Sequence, residues 1–438
     1  MRTGRLFGMP NIAVVPQPDA APPVRGARPE RGLWRLLGPA FVAAVAYVDP
    51  GNVAANLTAG AAYGYLLVWV LVVSNAMAVL VQYLSAKLGL VTGRTLPEML
   101  GARLPRNGRI AYWVQAELVA GATDIAEVIG GALALNLLFG LPLVWGGLIV
   151  GLISMGLLAV HSRRGQQTFE FVIIGLLVII SVGFVAGLFV SDVSWSGVAG
   201  GLVPRFAGEE TVLLAASMLG ATVMPHAIYL HSALARDRHR ADGLPDNPDA
   251  ADAAHTRRLI RATRWDVTWS LLVAGGVNIA MLLLAAASLR GVVGTESIEG
   301  AHAAIKAALG PSIAAVFAIG LLASGLAATS VGAYAGAVIM GGLIKRRIPL
   351  FARRVVTLIP ALILLAVGVN PTWALVISQV VLSLGIPFAL VPLVRMTGSR
   401  ALMGRFANAA RTQAIAWIVV ALIVALNVAL IVMTVIGG

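Results

Sequence analysis

The sequence predicts an all-α polytopic membrane protein with eleven transmembrane helices. Three observations carry this. Of the 438 residues, 59% are hydrophobic and only 12% are charged, against about 25% charged in an ordinary soluble domain. Eleven apolar stretches reach the roughly 20 residues that a helix needs to cross the hydrocarbon core. Once those stretches are laid out, 29 of the 32 basic residues fall on one side of the membrane.

The stretches are 36–59, 65–88, 110–139, 142–161, 169–190, 210–235, 265–289, 311–344, 349–369, 371–396 and 411–436. The third and eighth exceed a minimal crossing, so they are expected to tilt or protrude. The joins are shortest at Gly140–Leu141 and at Asn370 before Pro371. With the N-terminus cytoplasmic, only Arg205, Arg290 and Lys306 lie outside, as the positive-inside rule requires. One missed or invented span would reverse every later segment and destroy that asymmetry. The C-terminus is then extracytoplasmic, and the plasma (inner) membrane is the expected location.

The net charge of +13 therefore sets orientation and is not a nucleic-acid footprint. Residues 1–32, rich in Pro, Ala and Arg, read as a disordered cytoplasmic tail. They lack the compact apolar core and cleavage site of a signal peptide. Residues 33–438 form the membrane domain. There is no cysteine, which excludes disulfides, thiolate metal sites and cysteine nucleophiles and leaves the redox compartment unreadable.

Two spans are interrupted. The first carries Val48-Asp49-Pro50-Gly51-Asn52 and the sixth Gly220-Ala221-Thr222-Val223-Met224-Pro225-His226. Proline removes a backbone hydrogen bond inside a helix and clashes with the preceding turn. Either proline alone could be a tolerated kink. The two breaks, however, lie five spans apart and each carries polar or soft side chains. A five-span unit repeated in tandem enters the membrane in opposite directions, giving inverted repeats (36–190 and 210–396) with 411–436 as an extra helix. Paired broken helices at matching positions point to a transporter's midplane site. The first halves of both spans end at the breaks, so C-terminal carbonyls face the centre and favour a cation.

Asp49 offers a hard anionic oxygen, Asn52 a carbonyl oxygen and Met224 a thioether. Magnesium or calcium prefers oxygen alone, whereas sulfur favours softer transition metals. Met224 taken alone would be apolar filler; beside Pro225 and opposite Asp49 it becomes a candidate ligand.

Span 3 carries Glu117, Asp124 and Glu127 on one face, within about 80° at 100° per residue. They are either a proton or ion route or an ion-paired anchor, and Arg353 and Arg354 at the start of span 9 are candidate partners. His226 adjoins the break and suits proton relay, the alternative being a hydrogen-bonded buried histidine. His231, five residues on and about 140° around the helix, cannot share a ligand with it through a regular helix. Gln379 in span 10 is either an added oxygen ligand or an interhelical hydrogen bond. Gly320, Ser324, Ala328, Gly332 and Gly336 form a small-residue seam read as close packing without chemistry. The stretch Arg236–Arg264 reads as a solvated, flexible insertion.

Asp49-Pro50-Gly51-Asn52 and Met224-Pro225-His226 resemble the two signature motifs of the Nramp family of proton-coupled divalent metal ion transporters. Gln115-Ala116-Glu117-Leu118-Val119-Ala120, leading to Asp124 and Glu127, and Ser378-Gln379-Val380 are similar too. The resemblance covers nearly everything from Leu36 onward; the proline-rich tail and the acidic 6–7 loop depart from it. It implies the LeuT-type fold with helices 1 and 6 unwound at mid-membrane. It also implies metal coordination by Asp49, Asn52, Met224 and the Ala221 carbonyl, with Gln379 joining as the protein changes state. By the same likeness His226, Glu117, Asp124, Glu127, Arg353 and Arg354 match family positions on a proton-linked polar network.

The expected function is secondary active import of Mn2+, Fe2+ or related ions (Cd2+, Co2+) with proton entry, the metal and H+ being substrates and no cofactor being needed. The bilayer is the expected surroundings, without nucleic acid or an obligate protein partner. A same-fold amino-acid or organic-cation symporter and an ion channel are the rivals. No P-loop or His-Glu-x-x-His pattern occurs, so no enzyme is expected.

Overall fold

The computed structural model describes residues 38–240, 253–295, 297–346 and 349–436, and among them every regular element is helical. The expected first span is not one helix. It is α1 (Pro39–Val45), a 3-10 turn over Ala46–Val48, and α2 (Pro50–Tyr63). Then come α3 (Val68–Thr92), α4 (Leu96–Arg103), α5 (Arg106–Phe139), α6 (Leu143–Arg164) and α7 (Gln166–Val185). The short α8 (Trp195–Gly201) leads to α9 (Glu209–Thr222) and α10 (Pro225–Arg240), which together fill the expected sixth span. The second half holds α11 (Ala253–Ser288), α12 (Ile298–Leu309), α13 (Pro311–Leu343), α14 (Leu350–Val367), α15 (Pro371–Gly398), α16 (Arg400–Met403) and α17 (Ala410–Ile436). Nine stretches among the described residues are long and apolar enough to cross a membrane, with α9 and α10 counted as one.

Helix ends follow local chemistry. Thr95 caps α4 with a reciprocal capping box to Glu98. Gly93, Gly140 and Gly368 close α3, α5 and α14 in the left-handed conformation that glycine adopts without a Cβ penalty. α12, between α11 and α13, was not anticipated; Ser297 caps it.

The Arg236–Arg264 stretch corrects an expectation. α10 runs to Arg240 and α11 begins at Ala253, about three turns before the expected start. Ion pairs explain part of this extension: Arg236 meets Glu98 and Asp237 at 2.7 Å each, and Arg238 meets Glu170 at 3.1 Å. Residues 241–252, like the tail at 1–32, lie outside the described residues.

The core sits where α13 packs along α5, with α1, α2, α10 and α15 gathered around that pair. Small residues permit the approach. A Cβ at Gly320 would press on Gly183 of α7, and one at Gly130 of α5 would enter the Pro50 ring. This wedges the Pro50 turn of the first break against α5.

Candidate metal site

Proline chemistry opens the sixth-span break. Pro225 has no N–H, so the carbonyl of Ala221, four residues earlier, loses its helical donor. α9 stops at Thr222, and Val223 and Met224 bridge to α10. Met224 is fully buried there.

The first break is built differently. Asp49 is extended (φ −77°, ψ 168°) and caps α2, accepting from the Asn52 N–H at 2.7 Å. That N–H would otherwise close a helical bond to Val48, so the Val48 carbonyl is released. Ser324 of α13 donates to it at 2.5 Å, and Asn278 of α11 donates to the Tyr47 carbonyl at 2.7 Å. Backbone freed by the break is thus met by side chains from neighbouring helices, as a water-poor interior demands.

The two breaks meet through Asn52. Its Nδ2 donates to Asp49 Oδ1 at 2.8 Å and to the Ala221 carbonyl at 2.9 Å. Gln379 of α15 donates from Nε2 to Asp49 Oδ2 at 3.3 Å. Asp49, Asn52, Ala221, Met224 and Gln379 are all at most 1% exposed. The amide oxygens of Asn52 and Gln379 have no hydrogen-bond partner. Four candidate residues therefore meet at one junction, offering a carboxylate, two amides and a main-chain carbonyl, and Met224 is buried three residues along from Ala221 in the same break. No cluster of three or more His, Asp or Glu suited to a metal occurs among the described residues, so any metal held here relies on this mixed set.

A family model described as natural resistance-associated macrophage protein-like (Nramp) matches residues 40–433. The chain belongs to the Nramp family. Among its Nramp relatives, the divalent metal cation transporter MntH of Mycobacterium tuberculosis is 59% identical over 404 residues, covering 92% of each chain. MntH of Bacillus subtilis is 47% identical, covering 92% of this chain and 93% of its own. Among solved structures, a manganese transporter of Eremococcus coleocola superposes with a TM-score of 0.82 at 32% identity, covering 92% of this chain and 87% of that one. A nucleobase-cation-symport-1 family transporter matches with a TM-score of 0.55 at 18% identity, a likeness of fold alone. That shared fold is the LeuT type, and the chain is an integral membrane protein.

Beside this junction the Nramp chain carries a buried charge network. Arg353 meets Glu117 at 2.5 Å and Arg354 meets Asp124 at 2.7 Å, so both expected arginines do pair with the span-3 carboxylates. Arg354 also donates from Nε to Ser154 of α6 at 2.8 Å, and Thr329 of α13 donates to Asp124 at 3.3 Å. Glu127 is fully buried one turn beyond Asp124, and neither of its oxygens is hydrogen-bonded. His226 opens α10 with both ring nitrogens buried and unpartnered. His231 belongs to a separate cluster: its Nδ1 meets Gln82 Oε1 at 2.7 Å, and Gln82 in turn bonds the Tyr47 hydroxyl.

The small-residue seam of α13 is more than packing. Ser324 holds the Val48 carbonyl, a Cβ at Gly332 would stand 3.1 Å from Glu127 Oε2, and one at Gly336 would strike the Arg353 guanidinium. Asn278, Ser154 and Gln82 are the residues that sequence reasoning missed, and Ser324 it read as packing alone. The available signal was their polarity inside apolar helices, since such groups must find partners.

Proposed function

We propose that this Nramp protein is a secondary active importer of divalent transition-metal ions. The observation that carries the reading is the junction where Asp49, Asn52 and the Ala221 carbonyl are joined directly, with the Met224 thioether in the same break. Asp49, Asn52, Ala221 and Met224 serve as ligands, and Gln379 joins when the carrier changes state. Oxygen donors neutralise and hold the cation, while the thioether favours manganese, iron, cobalt or cadmium over magnesium and calcium. The names of the relatives, divalent metal cation transporter and manganese transporter, support this substrate class.

The eleven helical stretches cross the inner membrane with the N-terminus cytoplasmic and the C-terminus outside. Residues 36–190 and 210–396 are inverted repeats, and 411–436 is the extra helix. The breaks are then the unwound centres of helices 1 and 6 at mid-membrane. Protons accompany the metal through Asp49, His226 and the network of Glu117, Asp124, Glu127, Arg353 and Arg354, with His231 at a gate beside Gln82 and Tyr47. Asp49 links the fluxes because a carboxylate both ligates metal and accepts a proton.

The polar chemistry argues against an amino-acid symporter. Such a site needs free N–H groups for a carboxylate, whereas the Asn52 N–H is already given to Asp49 and the group released at the other break is a carbonyl. The deciding experiment is flux of manganese, iron, cadmium and magnesium into proteoliposomes holding an internal pH dye. Saturable uptake of the first three with internal acidification is expected. Equal uptake of magnesium, or unitary currents of a channel, would contradict the reading.

A further inference from the structure

A carboxamide carries a donor end and an acceptor end, exchanged by rotation about one soft, roughly two-fold terminal torsion. Both amides at the junction stand the same way round. Asn52 and Gln379 each give their nitrogen to Asp49, and each leaves its oxygen buried without a partner. The chemistry of the neighbours dictates this orientation for Asn52, because Nδ2 lies between a carboxylate oxygen and a carbonyl oxygen, where only a donor fits. A cation ligated by those same two oxygens would compete with that NH2 group for the space between them, and would need Oδ1 instead. The two arrangements exclude each other. Gln379 is held close by Gly51, where any Cβ would run into its amide.

We propose that Asn52 and Gln379 form a two-position amide switch. When the carrier crosses the membrane without cargo, both amides turn their nitrogens to Asp49 and stand in for the cation. When metal enters, they rotate and ligate it through the two oxygens that otherwise lack partners. A buried carboxylate stripped of both cation and donors is strongly disfavoured, so without the amides the unloaded carrier stalls. This role rests on the transport reading and goes beyond ligation: it assigns the amide nitrogens, as well as the oxygens, a step in the cycle.

Oxygen-only isosteres separate the two roles. Asn52→Asp and Gln379→Glu keep an oxygen ligand of similar shape and lose the fixed N–H donor; a carboxyl beside Asp49 donates only while it holds a shared proton, so both fluxes are read across a rising pH series. Radioactive manganese uptake is measured into metal-free proteoliposomes (net flux, which needs unloaded return) and into vesicles preloaded with unlabelled manganese (exchange, which does not). The ratio of net to exchange flux is expected to fall tenfold or more in at least one variant. A ratio within threefold of wild type in both would overturn the switch. Both residues are ligands, so exchange itself is expected to fall in each variant, and a net flux that falls only in step with exchange would overturn the switch as well. Absence of saturable manganese uptake by the wild-type protein would instead sink the transport reading itself.

Discussion

Arg354 of α14 lies 2.7 Å from Asp124 of α5, with side-chain exposures of 0% and 2%. The pair joins two long helices in the interior, and the Arg354 Nε bond to Ser154 brings in a third. Removing one member of a buried pair leaves an uncompensated charge, at a cost of about 3–5 kcal/mol. Arg354→Gln is therefore expected to lower the thermal unfolding midpoint in detergent, and Asp124→Asn in the same chain to recover most of the loss. Additive losses in the double variant would show that the two side chains do not act as a pair.

Ser324→Ala leaves the Val48 carbonyl without its donor. A buried acceptor deprived of its partner costs about 1–3 kcal/mol, and the strain falls on the residue just before Asp49. The expected result is a KM for manganese raised by about tenfold, the equivalent of ~1.4 kcal/mol. An unchanged KM in reconstituted uptake would mean that the contact is incidental to the site.

Met224→Ala removes the thioether of the sixth-span break. Selection of cadmium or manganese over magnesium and calcium should fall by about tenfold in competition assays, because the remaining donors are oxygens that hard ions accept equally well. Unaltered selectivity would reduce Met224 to packing.

Gly51→Ala and Gly121→Ala form a matched pair. A Cβ at Gly51 would run into the Gln379 amide, whereas one at Gly121 meets nothing within 4 Å. Uptake should drop by an order of magnitude or more in the first variant. The second should transport normally and gain about 0.5–1 kcal/mol of helix stability. Equal behaviour of the two would contradict the close approach of Gln379 to the first break.

Much of this arrangement is legible in the sequence because the membrane leaves few options. Apolar length marks out the long helices, and Pro50 and Pro225 announce where backbone groups come free. Asp49, Met224 and the span-3 carboxylates stand out because ionisable or soft groups in apolar stretches require a reason. The partners Arg353 and Arg354 were also within reach as the cations at the start of span 9.

What stayed hidden depends on contacts distant in sequence. Nothing local says that Ser324 meets Val48, 276 residues away, or that Asn278 meets Tyr47. A serine in a run of glycine and alanine reads as another small residue until a partner is seen. The end of α10 was misjudged for a related reason. Arg236 and Arg238 look like solvated charges, but Glu98 and Glu170 on other elements pair with them and carry the helix onward.

Manganese uptake by reconstituted protein carrying Asp49→Ala tests the central claim most directly. The substitution removes the one carboxylate at the junction of the two breaks while leaving Pro50 and the packing of α5 in place. Uptake at the background of protein-free vesicles, from a variant that remains folded and monodisperse, is the predicted result. Uptake near the wild-type rate would contradict the account.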